Sequence, residues 1–144
     1  MNNANHDSWK LEDQICFPLY AASREIIKQY KPYLDEMDLT YTQYLTMMLL
    51  WEHQTMTVKE IGEVLYLDSG TLTPLLKKLE IKGYLTRTRS TADERNLIVA
   101  LTEVGMSLRE HAEGIPQKIA ESLPLTAEEE AELSRMLRKI LENI

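Results

Sequence analysis

Between Thr57 and Leu101 the chain starts two helices in quick succession and then switches from helical to alternating periodicity. Thr57-Val-Lys-Glu60 has the form of a capping box, so a short helix is expected from there to about Leu65. Asp68-Ser-Gly-Thr71 is rich in residues that start helices, and Gly83 supplies a stop after Lys82. Pro74 is best tolerated in a first turn, so the regular part of this second helix is expected to begin as late as Thr71. Leu72, Leu75, Leu76 and Leu79 fall on one face of it. Leu85 to Ser90 and Asn96 to Leu101 then alternate as strands do, around the polar tip Thr91-Ala-Asp-Glu94. Short helix, tight turn, longer helix and two-stranded hairpin together make a winged helix-turn-helix, in which the second helix enters the DNA major groove.

The second helix carries suitable chemistry for that task. Ser69, Thr71 and Thr73 bring hydroxyls to its first turns, and Lys77 and Lys78 follow. The hairpin adds Arg87, Arg89 and Arg95, with Asp93 placed to hold the Arg95 guanidinium. The overall net charge of −7 runs against DNA binding, but it is unevenly spread. From Asp68 to Arg95 six basic residues face four acidic ones, a net +2, which leaves −9 for the rest of the chain. Phosphate neutralisation is local, so the acidic remainder is expected to keep the far side of the molecule off the duplex.

Helices flank this unit. The first is expected from about Trp9 to Asp35, with apolar residues at Leu11, Ile15, Leu19, Ala22, Ile26, Tyr30, Tyr33 and Leu34. A second set, Cys16, Tyr20, Ser23 and Ile27, lies beside it, making a stripe wide enough to be buried on two sides. Pro18 and Pro32 are expected to bend this helix. Thr40-Tyr-Thr-Gln43 is a capping box for a helix to about His53, Thr102 begins another, and Thr126-Ala-Glu-Glu129 opens the last, ending near Asn143. The fold class is therefore mainly α with a small β-hairpin wing. Its 144 residues form one domain: a winged core over about 40–101, and dimerisation helices over about 9–35 and 103–144.

The opening residues lack the apolar stretch of an export signal, and no run approaches the roughly 20 apolar residues needed to span a bilayer. A cytoplasmic protein is expected. One cysteine allows no internal disulfide and no thiolate zinc cluster, and His6, His53 and His111 are scattered, so neither metal nor cofactor is expected.

The run Leu67-Asp-Ser-Gly-Thr-Leu-Thr-Pro-Leu-Leu-Lys-Lys-Leu-Glu80, with Gly83-Tyr-Leu-Thr-Arg87 and Asp93-Glu-Arg95, resembles the MarR family of winged-helix regulators. Gln14-Ile-Cys16-Phe-Pro-Leu-Tyr20-Ala-Ala-Ser-Arg-Glu25, Lys28-Gln-Tyr30-Lys-Pro32 and Leu39-Thr-Tyr41 narrow the likeness to its organic hydroperoxide resistance regulators, the OhrR type. The resemblance spans Lys10 to Leu101 and weakens beyond. It implies a homodimer that represses a peroxide-resistance gene at a pseudo-palindromic operator in double-stranded DNA. It further implies that Cys16 is the redox sensor, that Tyr30 and Tyr41 are its hydrogen-bond partners, and that Asp93 and Arg95 are the wing pair on DNA. The lack of a second cysteine resembles the class that completes oxidation with a small external thiol.

The residues themselves add to this. Tyr20 lies one turn from Cys16, and a phenol can stabilise a thiolate without adding charge. Tyr30 is 14 residues from Cys16 on the same helix, roughly 21 Å along the axis, so it can reach only the cysteine of an antiparallel partner helix. Phe17, Leu19, Tyr44 and Trp51 are candidate apolar surroundings that would suit an organic peroxide. Oxidation to a sulfenic acid and then a mixed disulfide would add volume between packed helices and shift two recognition helices that must dock about 34 Å apart. Three alternatives stand beside this reading: a MarR-type regulator answering a phenolic ligand with Cys16 passive, a thiol peroxidase, and a helical interaction protein using Glu128-Glu-Glu130. A broader redox-responsive regulator is a variant of the first reading.

Overall fold

The computed structural model describes residues 9–90, 92 and 96–144. They fall into two compact units, one ending at Glu113 and one spanning Gly114–Ile144.

The first unit begins with a 3-10 turn, Leu11–Asp13, and helix α1, Cys16–Glu36. The expected start at Trp9 is thus too early. Pro18 sets the boundary: its ring cannot follow a complete helical turn, so the helix begins where Pro18 falls in the first turn. Pro32 lies inside α1 without ending it. The helix closes in a Schellman turn, in which the Leu39 amide donates to the Leu34 carbonyl and the Asp38 amide to that of Asp35. Asp38 takes the left-handed position, φ 52°, and Leu34 and Leu39 are both buried at the turn.

Helix α2, Tyr41–His53, is opened by Thr40 in a complete capping box. Strand β1, Thr55–Thr57, leads into helix α3, Val58–Leu65. Here the Thr57 hydroxyl accepts from the Glu60 amide, but Glu60 in return takes the Thr57 hydroxyl proton, so only half of the expected box forms. Helix α4, Ser69–Ile81, starts at Ser69 and not at Thr71, because the Asp68 carboxylate accepts from the Thr71 amide at 2.8 Å and fixes the N-terminus. Pro74 therefore sits inside the helix. Gly83, φ 84°, ends α4 in a second Schellman turn.

Strands β2, Leu85–Arg89, and β3, Leu97–Leu101, form the expected hairpin, but the sheet has a third strand, in the order β1-β3-β2. Both pairings are antiparallel, with Met56 opposite Val99 and Val99 opposite Arg87. A three-residue strand carries too few alternations to be visible in sequence. Helix α5, Glu103–Ala112, follows its cap Thr102. The core gathers Tyr44, Met47 and Leu50 of α2, Ile61 of α3, Leu72, Leu76 and Leu79 of α4, and Leu85 and Val99 of the sheet, all nearly inaccessible.

In the second unit, helix α6, Ile115–Ser122, begins after Gly114 in the left-handed conformation and has Pro116 in its first turn. Helix α7, Ala127–Glu142, is opened by Thr126 and Glu129 in a complete capping box. Among the described residues no helix is long and apolar enough to cross a membrane.

Candidate functional site

Helix α4 divides cleanly by face. Leu72, Leu75, Leu76 and Leu79 are buried, as the periodicity requires, while Ser69, Thr71, Thr73, Lys77 and Lys78 are all exposed. The five polar residues therefore share a solvent-facing surface that starts at a helix N-terminus. Hydrogen bonds from Thr71 hold the Asp68 carboxyl below the usual carboxylate range, so it stays ionised while serving the cap.

The two described wing arginines differ. Arg87, Arg89 and Leu85 lie on the same face of β2 by strand alternation, and Leu85 is buried. Arg87 is accordingly drawn inward. Its guanidinium donates to Glu80 Oε1 at 3.1 Å and its amide to Glu80 Oε2 at 2.8 Å. The Arg87 hydrogen bonds hold the carboxyl of Glu80, on the last turn of α4, below the usual glutamate range. This pair fastens the wing strand to the candidate recognition helix. Arg89 is exposed further along β2. Asp93 and Arg95 lie outside the described residues. Lys82, counted in the local positive charge, is also paired: its ammonium donates to the Asp38 carbonyl and meets the exposed Asp38 carboxylate at 3.3 Å.

Cys16 is the first residue of α1 and is exposed. No side chain caps this helix start; the Phe17 amide donates to the Gln14 carbonyl at 3.2 Å, and Pro18 has no N–H to offer. Sequence reasoning missed this because it put Cys16 in mid-helix; the signal available was Pro18. Around it Ile15, Phe17, Leu19 and Tyr20 are all exposed, Ile15 by 81%. The stripe expected to be buried on two sides is thus largely uncovered in the single chain, where Leu34 is the one fully buried residue of α1.

Three further tyrosines gather where α1 meets α2. The rings of Tyr30 and Tyr41 are 5.0 Å apart, and Tyr44 lies 5.8 Å from Tyr30 and 6.5 Å from Tyr41. Trp51 meets Tyr44 edge-on at 6.3 Å and donates its indole N–H to the Gly105 carbonyl at 2.9 Å. Tyr44 and Trp51 therefore belong with Tyr30 and Tyr41, whereas Phe17 and Leu19 sit beside Cys16. Burial raises the Tyr30 and Tyr41 hydroxyls above the ordinary tyrosine value, and burial with the two neighbouring phenols pushes Tyr44 up to about 12. All three remain O–H donors at neutral pH. The fold brings Tyr30 and Tyr41 together, but Cys16 of the same chain is at the other end of α1, about 21 Å away along the axis. Tyr20, one turn from Cys16, accepts a hydrogen bond from Arg24 at 2.6 Å. Arg24 was not a candidate from sequence, although its four-residue spacing from Tyr20 was a usable signal.

A helix-turn-helix packed on an apolar core, a strand pair fastened to its second helix, and an outward polar face on that helix define a winged-helix DNA-binding regulator. The family profile of the transcriptional regulators SarA/Rot matches residues 28–112. The chain belongs to this family of MarR-type winged-helix transcriptional regulators. It is 52% identical over 138 residues to the organic hydroperoxide resistance transcriptional regulator of Bacillus subtilis (strain 168), covering 96% of this chain and 94% of that one. It is 44% identical over 131 residues to the HTH-type transcriptional regulator SarZ of Staphylococcus aureus (strain USA300), covering 91% and 88%. Among solved structures, reduced AbfR bound to DNA superposes with a TM-score of 0.77 at 35% identity, covering 92% of this chain and 91% of that one.

Proposed function

We propose that this protein is a cytoplasmic, dimeric transcription repressor that binds operator DNA through α4 and the wing and releases it when Cys16 is oxidised by an organic hydroperoxide. The observation that carries the sensing is the exposure of Cys16 at an uncapped helix start amid uncovered apolar side chains. The kinship with the B. subtilis hydroperoxide resistance regulator and the likeness to DNA-bound AbfR support the same reading.

On the DNA side, Ser69, Thr71 and Thr73 meet the major groove and adjacent phosphates, and Lys77 and Lys78 neutralise the backbone. Arg89, Asp93 and Arg95 serve the wing, while Arg87 positions it through Glu80. On the sensor side, the uncovered face of α1 packs on its partner in a dimer. An antiparallel pair brings Cys16 of one chain to Tyr30 and Tyr41 of the other. These two phenols, with Tyr20 from the sulfur's own helix, stabilise a thiolate by hydrogen bonds.

The thiolate attacks the terminal oxygen of the hydroperoxide. A sulfur–oxygen bond forms, the oxygen–oxygen bond breaks, and the electron pair leaves on an alkoxide that takes a proton from water. The sulfur is oxidised by two electrons and the peroxide is reduced to an alcohol. A small thiol then displaces the sulfenic oxygen as water, leaving a mixed disulfide on Cys16. The added bulk separates helices that cannot absorb it and moves the two α4 helices off their half-sites. The protein thus works by binding and release, not by turnover. The test is operator affinity before and after cumene hydroperoxide. Wild type should release DNA and Cys16→Ser should hold it; equal release by both would end the reading.

A further inference from the structure

We propose that Arg24 is a positioning residue for the redox sensor, acting on Cys16 through Tyr20; this rests on the reading of Cys16 as the sensor. Cys16, Tyr20 and Arg24 recur every fourth residue and share one face of α1. The Arg24 Nη1 is 2.6 Å from the Tyr20 hydroxyl, and its guanidinium carbon lies 5.5 Å from the centre of the Tyr20 ring. Two contacts to one side chain, one to the oxygen and one to the ring, hold that ring in place.

The direction of the hydrogen bond follows from chemistry. A guanidinium has donors and no acceptor, so the Tyr20 oxygen must accept. Its own proton is then left to donate elsewhere. Side chains on a helix lean toward its N-terminus, so Arg24 leans over Tyr20 and Tyr20 leans toward Cys16. A cation bonded to the phenol oxygen polarises its O–H and makes it a stronger donor to a thiolate. The nearby carboxylate Glu25 pairs with Lys28 at 2.9 Å and adds only a lesser coulombic attraction to Arg24, after that of Tyr20. Arg24 therefore delivers positive charge to the sensor through a neutral phenol, without itself touching the sulfur.

The test measures the ultraviolet absorbance of the Cys16 thiolate in the reduced protein at neutral pH, together with the rate of its oxidation by cumene hydroperoxide. Arg24→Gln should lower the absorbance and slow oxidation roughly three- to tenfold, the effect of one hydrogen bond. Arg24→Lys, which keeps the charge and a donor, should fall between. In a Tyr20→Phe background, Arg24→Gln should add nothing. Wild-type absorbance and rate in Arg24→Gln, or an undiminished Arg24 effect without the Tyr20 hydroxyl, would overturn the relay. Either result with Cys16-dependent DNA release intact strikes only this inference, whereas peroxide release by Cys16→Ser strikes the sensor itself.

Discussion

Arg87 shows how a single residue changes meaning between sequence and fold. In the sequence it is one of three wing arginines; in the structure it faces inward beside Val99 and is bonded to Glu80 through both its guanidinium and its amide. These bonds hold the Glu80 carboxyl below the ordinary glutamate range. The ionised form is thus favoured by folding. The resulting stability is fully present above the unfolded glutamate value and is lost as pH falls through the lowered folded one. Melting temperatures taken from about pH 5 to about pH 3 should fall less steeply for Glu80→Gln than for wild type. Parallel curves would mean that the pair contributes nothing to acid sensitivity. The clue was present in the strand period, since Arg87 is two residues from buried Leu85. What the sequence did not contain was the partner, because Glu80 reaches it only once α4 and β2 are folded together.

At the level of elements, the join between β2, α2 and α5 is the tightest backbone approach among the glycines. A β-carbon on Gly105 would lie 2.1 Å from the Tyr84 carbonyl oxygen. The Thr102 hydroxyl donates to the Gly83 carbonyl at 2.6 Å and accepts from the Gly105 amide at 3.0 Å, while Trp51 closes on the Gly105 carbonyl. Gly105→Ala should cost about 3 kcal/mol in urea unfolding, because backbone would have to move to admit the methyl group. Trp51→Phe should cost about 1 kcal/mol for the lost hydrogen bond. Near-wild-type stability of Gly105→Ala would show that α5 can slide off the sheet at little cost. Element types and caps were legible: Thr40, Thr102 and Thr126 all cap helices that the sequence announces. The end of α1, expected at Asp35, falls at Glu36, whereas its start was placed too early because the apolar spacing back to Leu11 outweighed the local signal of Pro18.

At the scale of the whole molecule, the apolar surface left over is the informative quantity. Ile15, Phe17, Leu19, Tyr20 and Ile27 on α1 are exposed, as are Leu133, Met136, Ile140 and Leu141 on α7. Surfaces of this kind are covered by association. Light scattering should give about twice the 16.7 kDa chain mass. Leu19→Glu combined with Ile27→Glu should shift the protein toward monomer and weaken operator binding in parallel, because a two-fold operator needs two linked recognition helices. A monomeric wild type, or a monomeric variant with full operator affinity, would break the link between assembly and DNA binding.

The sequence by itself determined the winged helix-turn-helix, its buried leucine face and its outward polar one, because helix caps, periods of 3.6 and 2, and a glycine stop are local signals read over a few residues. The tertiary structure alone decided that Arg87 meets Glu80 and Lys82 meets Asp38, that Tyr30, Tyr41, Tyr44 and Trp51 form one cluster, and that β1 completes the sheet. Each of these depends on a partner distant in the chain, and no local pattern of residue types encodes such a partner.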